Sequence, residues 1–246
     1  MSVQQHARLR HQEEIPGRVV DAGVLQWLVD RQFGAQHLMT YRLSMNTGST
    51  APHAHSAEEV LYVLEGSGAI RGDDDLTPVI PGQAIFLPEG ATHAYVNDGD
   101  RPLVVVGTIA PPIDPATIES GKTGRQPNRR PIRLDEEHVA ATMMGERRFR
   151  VLVDPATGCQ RMTQFTGIIP TGRAPLHSHP HEEVVYILAG TGRLWIEDVS
   201  AGQLRPGSVV FIPVGTRHTL ENTGEEAMKL LGTFSPAGSP AAKLDR

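Results

Sequence analysis

A single cysteine, Cys159, is the whole thiol content of this 246-residue chain. A disulfide framework within the chain is excluded, and so is a cysteine-built structural zinc site. No apolar run approaches the roughly 20 residues that a helix needs to span a bilayer. The N-terminal MSVQQHARLRHQEEIPG lacks the apolar stretch of an export signal. A net charge of −5 gives no basic excess for a general nucleic-acid binder. The expectation is a cytoplasmic protein that binds neither nucleic acid nor membrane.

What the chain has is a repeat. Gly172 to Gly190 reads GRAPLHSHPHEEVVYILAG, with His177, His179 and Glu183 inside seven residues. In an extended strand alternate residues face one side, so these three share a face. Neutral imidazoles with a carboxylate suit a divalent first-row metal. The VVYIL that follows reads as a buried strand. Gly48 to Gly66 repeats the pattern as GSTAPHAHSAEEVLYVLEG, and His53, His55 and Glu59 match the later set at an offset of 124. Each copy carries a second block, GQAIFLPEGATHAYVN from Gly82 and GSVVFIPVGTRHTLEN from Gly207. These add His93 and His218. Two registered sets of three histidines and one glutamate are far more specific than a lone HxH.

The two blocks resemble the motifs of the cupin superfamily. The second motif matches fully at Gly82, Pro88, Gly90, His93 and Asn97, and again at Gly207, Pro213, Gly215, His218 and Asn222. The first matches from its HxH onward, with its leading glycine, Gly48 or Gly172, one residue closer than usual. The resemblance covers most of the chain twice. It implies an all-β bicupin: two tandem double-stranded β-helix (jelly-roll) barrels, each with a metal inside. Residues 1–14 are expected as a mobile arm with His6 and His11 solvated. Residues 15–112 form the first barrel and 145–235 the second. Residues 113–144 read as a linker with a short helix from Asp135 to Met144, N-capped by Asp135 and carrying His138. Residues 236–246 read as a fraying tail. Asp73, Asp74 and Asp75 read as a solvated hairpin loop, and Cys159 as a small strand residue.

Each set of four ligands, His53, His55, Glu59 and His93 or His177, His179, Glu183 and His218, leaves positions open on a five- or six-coordinate ion. That favours chemistry over a closed structural site. Iron or manganese is preferred, with nickel, zinc and copper as alternatives, one ion per barrel. The leading expectation is an oxygenase acting on a small organic acid, enol or phenol. A non-redox isomerase, decarboxylase, lyase or cyclase is the alternative, and a non-catalytic metal or ligand binder the third. Glu59 and Glu183 are the catalytic candidates. A homodimer is expected from strand edges left by the duplication. The ligands match between halves but their surroundings differ: His181 replaces Ala57, Arg217 replaces Thr92, and Trp195 falls near Arg71. His181 reads as a loop or supporting residue, and Arg217 as a surface one. Leu61 and Val63, like Val185 and Ile187, share the ligands' parity and are expected to line or underlie the sites.

Overall fold

The structure is a computed structural model that describes residues 7–116 and 129–244. The described residues form 22 strands, in four antiparallel sheets. Each half pairs a seven-stranded sheet with a four-stranded one, giving the two expected barrels. In the first, the large sheet runs Ile132–Asp135, Gln83–Leu87, Glu58–Glu65, Leu103–Ala110, Met39–Met45, Gly23–Val29, Arg18–Val20. In the second it runs Arg8–His11, Ser208–Ile212, Glu182–Ala189, Met228–Ser235, Thr163–Ile169, Arg147–Val153, Thr142–Met144. The central strands are continuous apolar, β-branched runs because both of their faces are covered. No helix among the described residues is long and apolar enough to cross a membrane.

The outermost strand of each large sheet comes from the other half of the chain. Arg8–His11 pairs with Ser208–Ile212 of the second barrel, while Ile132–Asp135 pairs with Gln83–Leu87 of the first. The two exchanged strands stand at the same offset of 124 as the ligands. The repeat therefore begins well before Leu28, where the sequence first makes it visible. Residues 8–11 are thus not a mobile arm, and His11 is not solvated. It is buried, with Nε2 at 2.9 Å from the carbonyl of Pro206. RLRH and IRLD escape notice as strands because edge strands tolerate charge. Arg10 also spends its charge on the next turn of chain, with Nε donating to Leu28 O at 2.8 Å and the guanidinium 3.9 Å above Phe33.

The linker differs from expectation in the same way. No helix forms from Asp135 to Met144. A single 3-10 turn, Glu136–His138, is followed by the strand Thr142–Met144. Asp135 makes no capping bond; its carboxylate takes the side-chain amide of Gln83 instead. Glu136 is held by Tyr62, by Thr166 and by Lys229 at 2.8 Å, so this segment is tied to both barrels. The stretch 117–128, which contains most of the Gly/Pro/Arg-rich run, lies outside the described residues. The tail also packs: Gly238 N donates to Thr163 Oγ1 at 3.1 Å, and Leu244 N to Ser178 O at 2.9 Å.

The barrels share one apolar seam, containing Val60, Tyr62 and Phe86 from the first and Val184, Tyr186 and Phe211 from the second. Two buried carboxylates cross it reciprocally. Glu58 accepts the backbone N–H of Gln160 at 3.1 Å and of Arg161 at 2.7 Å. Glu182 accepts those of Gln36 at 3.0 Å and His37 at 2.8 Å. Removing either carboxylate leaves two part-buried backbone donors without that partner. Glu58→Ala and Glu182→Ala should each cost about 2–4 kcal/mol in denaturant unfolding. Asp198→Ala, at an exposed ion pair with Arg173, should stay within about 0.5 kcal/mol. Seam variants as stable as the surface control would show that the crossing bonds contribute nothing.

Candidate metal centres

The two blocks of each half meet at a pair of histidines. His53 and His93 face each other across an isolated antiparallel bridge and exchange both backbone bonds, at 2.9 and 2.8 Å. His177 and His218 do the same at 3.1 and 2.9 Å. Directly opposed residues project side by side, and the ring centroids are 4.2 and 4.6 Å apart. His55 and His179 follow two residues on, so they point the same way. The motif glycine anchors them: Gly90 N donates to His55 O at 2.9 Å and Gly215 N to His179 O at 3.0 Å. Gly90 and Gly215 have φ of 76° and 73°, where a side chain would strain the backbone. The motif asparagines are structural. Asn97 donates to Met45 O and Arg101 O, and Asn222 to Ile169 O and Glu226 O, each at 2.8–2.9 Å.

All six motif imidazoles place Nδ1 against a backbone carbonyl two residues away. The acceptors are Ala51, Ala57 and Ala91 in the first barrel, and Pro175, His181 and Thr216 in the second, at 2.9–3.4 Å. An Nδ1–H so engaged leaves Nε2 as a lone pair, the form that ligates a metal. Nε2 of His93 and of His179 are buried and make no hydrogen bond of proper geometry. Yet carboxylate oxygens of Glu59 and Glu183 lie 3.2 and 2.8 Å from them. A cation among these atoms would satisfy both donor types at once, so the residues fit a metal.

The donor atoms gather in overlapping threes. His55, Glu59 and His93 lie mutually within 4.8 Å and are all buried, with the His53 ring tilted against that of His93. In the second barrel His177, His179 and His218 form one such group, and His179, His181 and Glu183 another. Electrostatics follow the packing. Burial opposes the charge of Glu59, but His55 and His93 outweigh it and hold the carboxyl well below its usual range. Glu183 is buried too, yet His179 brings it down to about 2. Burial, aided by neighbouring imidazoles, lowers His53 and His218 to about 3. Burial also works against charge on His55 and His179, but Glu59 and Glu183 prevail and raise both.

The barrels diverge behind the glutamates. Glu59 Oε1 accepts hydrogen bonds from Tyr41 and, at 3.0 Å, from Tyr95, and the two hydroxyls are 2.6 Å apart. The corresponding positions of the second barrel are Phe165 and Leu220, which have no hydroxyl. There Glu183 borders a cavity of about 80 Å³, walled by Phe149, Phe165, Ile212, Leu220 and Leu230, with Arg147 at its edge. Such a space takes several waters or a small organic molecule. Val185 lines it, while Leu61 and Val63 are buried in the first barrel's core and Ile187 in the second's. Pro240 of the docked tail lines it as well.

Of the differences singled out from sequence, His181 adjoins the ligands, while Arg217 and Trp195 make contacts apart from them. Arg217 pairs with Glu197 at 3.7 Å on the surface. Trp195 donates to Glu221 at 2.9 Å and lies under Arg173. His181 is buried, stacked 4.3 Å from His179 and 3.9 Å from Phe234, and burial brings it down to about 4. Asp73, Asp74 and Asp75 sit in the hairpin loop between Gly68–Arg71 and Leu76–Val79, and His138 is exposed. Cys159 is buried against Glu58 at the seam, where burial pushes its thiol up to about 12. Tyr41, Tyr95 and Arg147 were missed. Their signal was available in the aligned halves, as Tyr against Phe165, Tyr against Leu220, and Gly23 against Arg147.

Comparison with known proteins agrees with this architecture. The cupin domain family matches residues 39–109 and 165–234, more than half of the chain, and the protein belongs to that family. Oxalate decarboxylase of Bacillus subtilis superposes with a TM-score of 0.78 at 15% identity, covering 100% of this chain and 80% of that one. The formate complex of Lactobacillus farciminis oxalate decarboxylase gives 0.77 at 13% identity, covering 100% and 89%. At such identities the likeness is one of fold. Gentisate 1,2 dioxygenase 1 of Aquipseudomonas alcaligenes is 36% identical over 59 residues, 23% of this chain and 17% of that enzyme. The chain spans from 17% to 64% of the length of the curated relatives it matches.

The raised His55 and His179 make metal uptake a proton-releasing step. Below their folded-state pKa values each imidazole holds a proton that a metal must displace; above them it is already gone. Apparent metal affinity should therefore fall as pH is lowered through that range, and uptake near pH 6 should release protons. Calorimetric titration in two buffers of different ionisation enthalpy measures the release. Identical heats in both would remove this account of the histidines.

Proposed function

We propose that the protein is a metal-dependent bicupin enzyme acting on a small organic acid, enol or phenol, with the reaction carried by the C-terminal barrel. The observation behind this reading is the contrast between the two glutamates. His177, His179, Glu183 and His218 would hold one divalent transition metal, and His53, His55, Glu59 and His93 another, with iron or manganese favoured. Such an ion, when bound, supplies Lewis acidity and, for a redox-active metal, electron transfer. Glu183 has no tyrosine on its carboxylate, so once it leaves His179 its outer oxygen can take up a proton from the substrate. Phe165, Ile212 and Leu220 keep bulk water from that proton, and Pro240 adds to the wall. Glu59 has its Oε1 occupied by two hydroxyl donors and serves to hold charge.

Within this class an oxygenase is the first reading, supported by the similarity to gentisate 1,2 dioxygenase over the matched segment. A non-redox decarboxylase is the second, favoured by the full-length fold likeness to oxalate decarboxylases. Oxygen uptake against carbon dioxide release, over a panel of phenols and keto acids, separates the two.

Metal analysis should give two equivalents per chain, one lost in His53→Ala and the other in His177→Ala. At full metal occupancy, Glu183→Gln should lower kcat about a hundredfold, in the range of general acid–base contributions. Glu59→Gln should leave kcat within about threefold, since a group remote from the reacting atoms carries no such term. Equal losses in the two variants would overturn the assignment of the reaction to the C-terminal barrel. Full turnover of metal-free protein would overturn the metal enzyme itself.

A further inference from the structure

We infer that Arg147 is the substrate-binding residue that receives a carboxylate, and that the C-terminal cavity takes a monocarboxylate with an apolar body. The inference deepens the functional reading and rests on the C-terminal barrel being the one that reacts.

Arg147 opens the strand Arg147–Val153 and shares parity with buried Phe149, so it belongs to the barrel-facing side of that strand. It is half-buried and lines the cavity together with His177, His179 and His218. Its guanidinium has no ion pair and no side-chain hydrogen bond among the described residues. Other arginines are engaged: Arg10 with Leu28 O, Arg150 with Val139 O, Arg161 with Glu89, Arg205 with Glu13. Among the described residues Glu183 is the sole acid lining the cavity, and it lies against His179. Burial alone depresses the Arg147 pKa, with no carboxylate opposing it. A partly desolvated cation without a counter-charge is costly, and an incoming anion offsets that cost. The planar guanidinium fork matches a carboxylate in a two-point contact.

The rest of the lining limits the ligand. Arg148, the other cation there, has the opposite parity and is exposed. Phe149, Phe165, Ile212, Leu220 and Leu230 offer apolar surface only. In the metal-free protein a second carboxylate would be buried against that wall without a partner, so a compact dianion is disfavoured there. The anion site is also particular to this barrel. The register equivalent of Arg147 is Gly23, where even a Cβ would stand 2.7 Å from Ser44 O.

The test is calorimetric binding of benzoate, benzamide and oxalate to the full chain, metal-free and metal-loaded. Metal-free wild-type protein should bind benzoate at least tenfold more tightly than benzamide or oxalate. Arg147→Gln should weaken benzoate at least tenfold and leave benzamide unchanged, while Arg147→Lys should recover part of the loss. Benzoate and benzamide binding alike to wild type, a comparison that needs no variant, would overturn the inference. So would benzoate binding that requires the metal but ignores Arg147, because the carboxylate would then sit on the ion. Binding is scored apart from turnover. Benzoate held through Arg147 by a catalytically silent protein would support the inference and sink the enzyme reading. A working enzyme indifferent to Arg147 would do the opposite.

Discussion

The two-residue alternation of one strand in each half governs everything else in this molecule. In Glu58–Glu65, Glu59 points into the barrel toward His55 and His93, while Glu58 points out across the seam to the backbone of Gln160 and Arg161. Glu182 and Glu183 repeat the arrangement in Glu182–Ala189. Both carboxylates are buried, so neither face tolerates the other's occupant unpaired. A slip of one residue would send the metal-facing carboxylate into the seam and the seam carboxylate into the barrel. Register, barrel contents and the docking of the halves are therefore fixed by the same pair of adjacent acids.

The exchanged edge strands extend that coupling. Arg8–His11 closes the second barrel's sheet and Ile132–Asp135 closes the first's, so neither half completes its own large sheet. The turns that follow them are gripped by equivalent tyrosines. Tyr186 donates to Gln12 at 2.6 Å, and Tyr62 to Glu136. The repeat is thus more symmetrical in its scaffold than in its cavities. The paired backbone of the motif histidines is kept in both halves, while His181, in the loop before Glu182–Ala189, adds a donor beside His179 and Glu183. The differences that matter lie on strands across the barrel, at Tyr41 against Phe165, Tyr95 against Leu220 and Gly23 against Arg147.

That distribution explains what the sequence made legible. The ligand sets stand out because strand parity and a fixed metal-facing direction force histidines and a glutamate to recur at rigid spacing. The all-β duplication follows from the same spacing. Edge strands such as RLRH carry no such signature, since one side of the strand meets water and charge is tolerated there. Asp135 to Met144 has a helix-like start, but Glu136 is worth more as a partner for Lys229, Tyr62 and Thr166 than as a helix residue. The tail reads as disordered by composition, yet backbone bonds to Thr163 and Ser178 need no particular side chain. The tyrosines escaped attention because their distance from Glu59 in sequence, 18 and 36 residues, hides their contact across the barrel.

Equal ligand sets cannot by themselves make the barrels unequal, so the difference has to come from what touches the far oxygen of each glutamate. A hydrogen bond from a hydroxyl to a buried carboxylate contributes about 1.5–3 kcal/mol. Releasing Glu59 from even one tyrosine therefore costs roughly a ten- to hundredfold factor in any step that needs its carboxylate to move. Phe165 and Leu220 impose no such cost on Glu183, and their apolar surface lowers the local dielectric, which strengthens the field of any charge nearby. The same two substitutions remove the hydroxyls that fill the space behind the carboxylate in the first barrel, and in the second that space borders the cavity. Mobility of the carboxylate, room for a ligand and exclusion of water thus arise together from having Phe165 and Leu220 where the first barrel has Tyr41 and Tyr95, while the metal-ligating residue types stay the same.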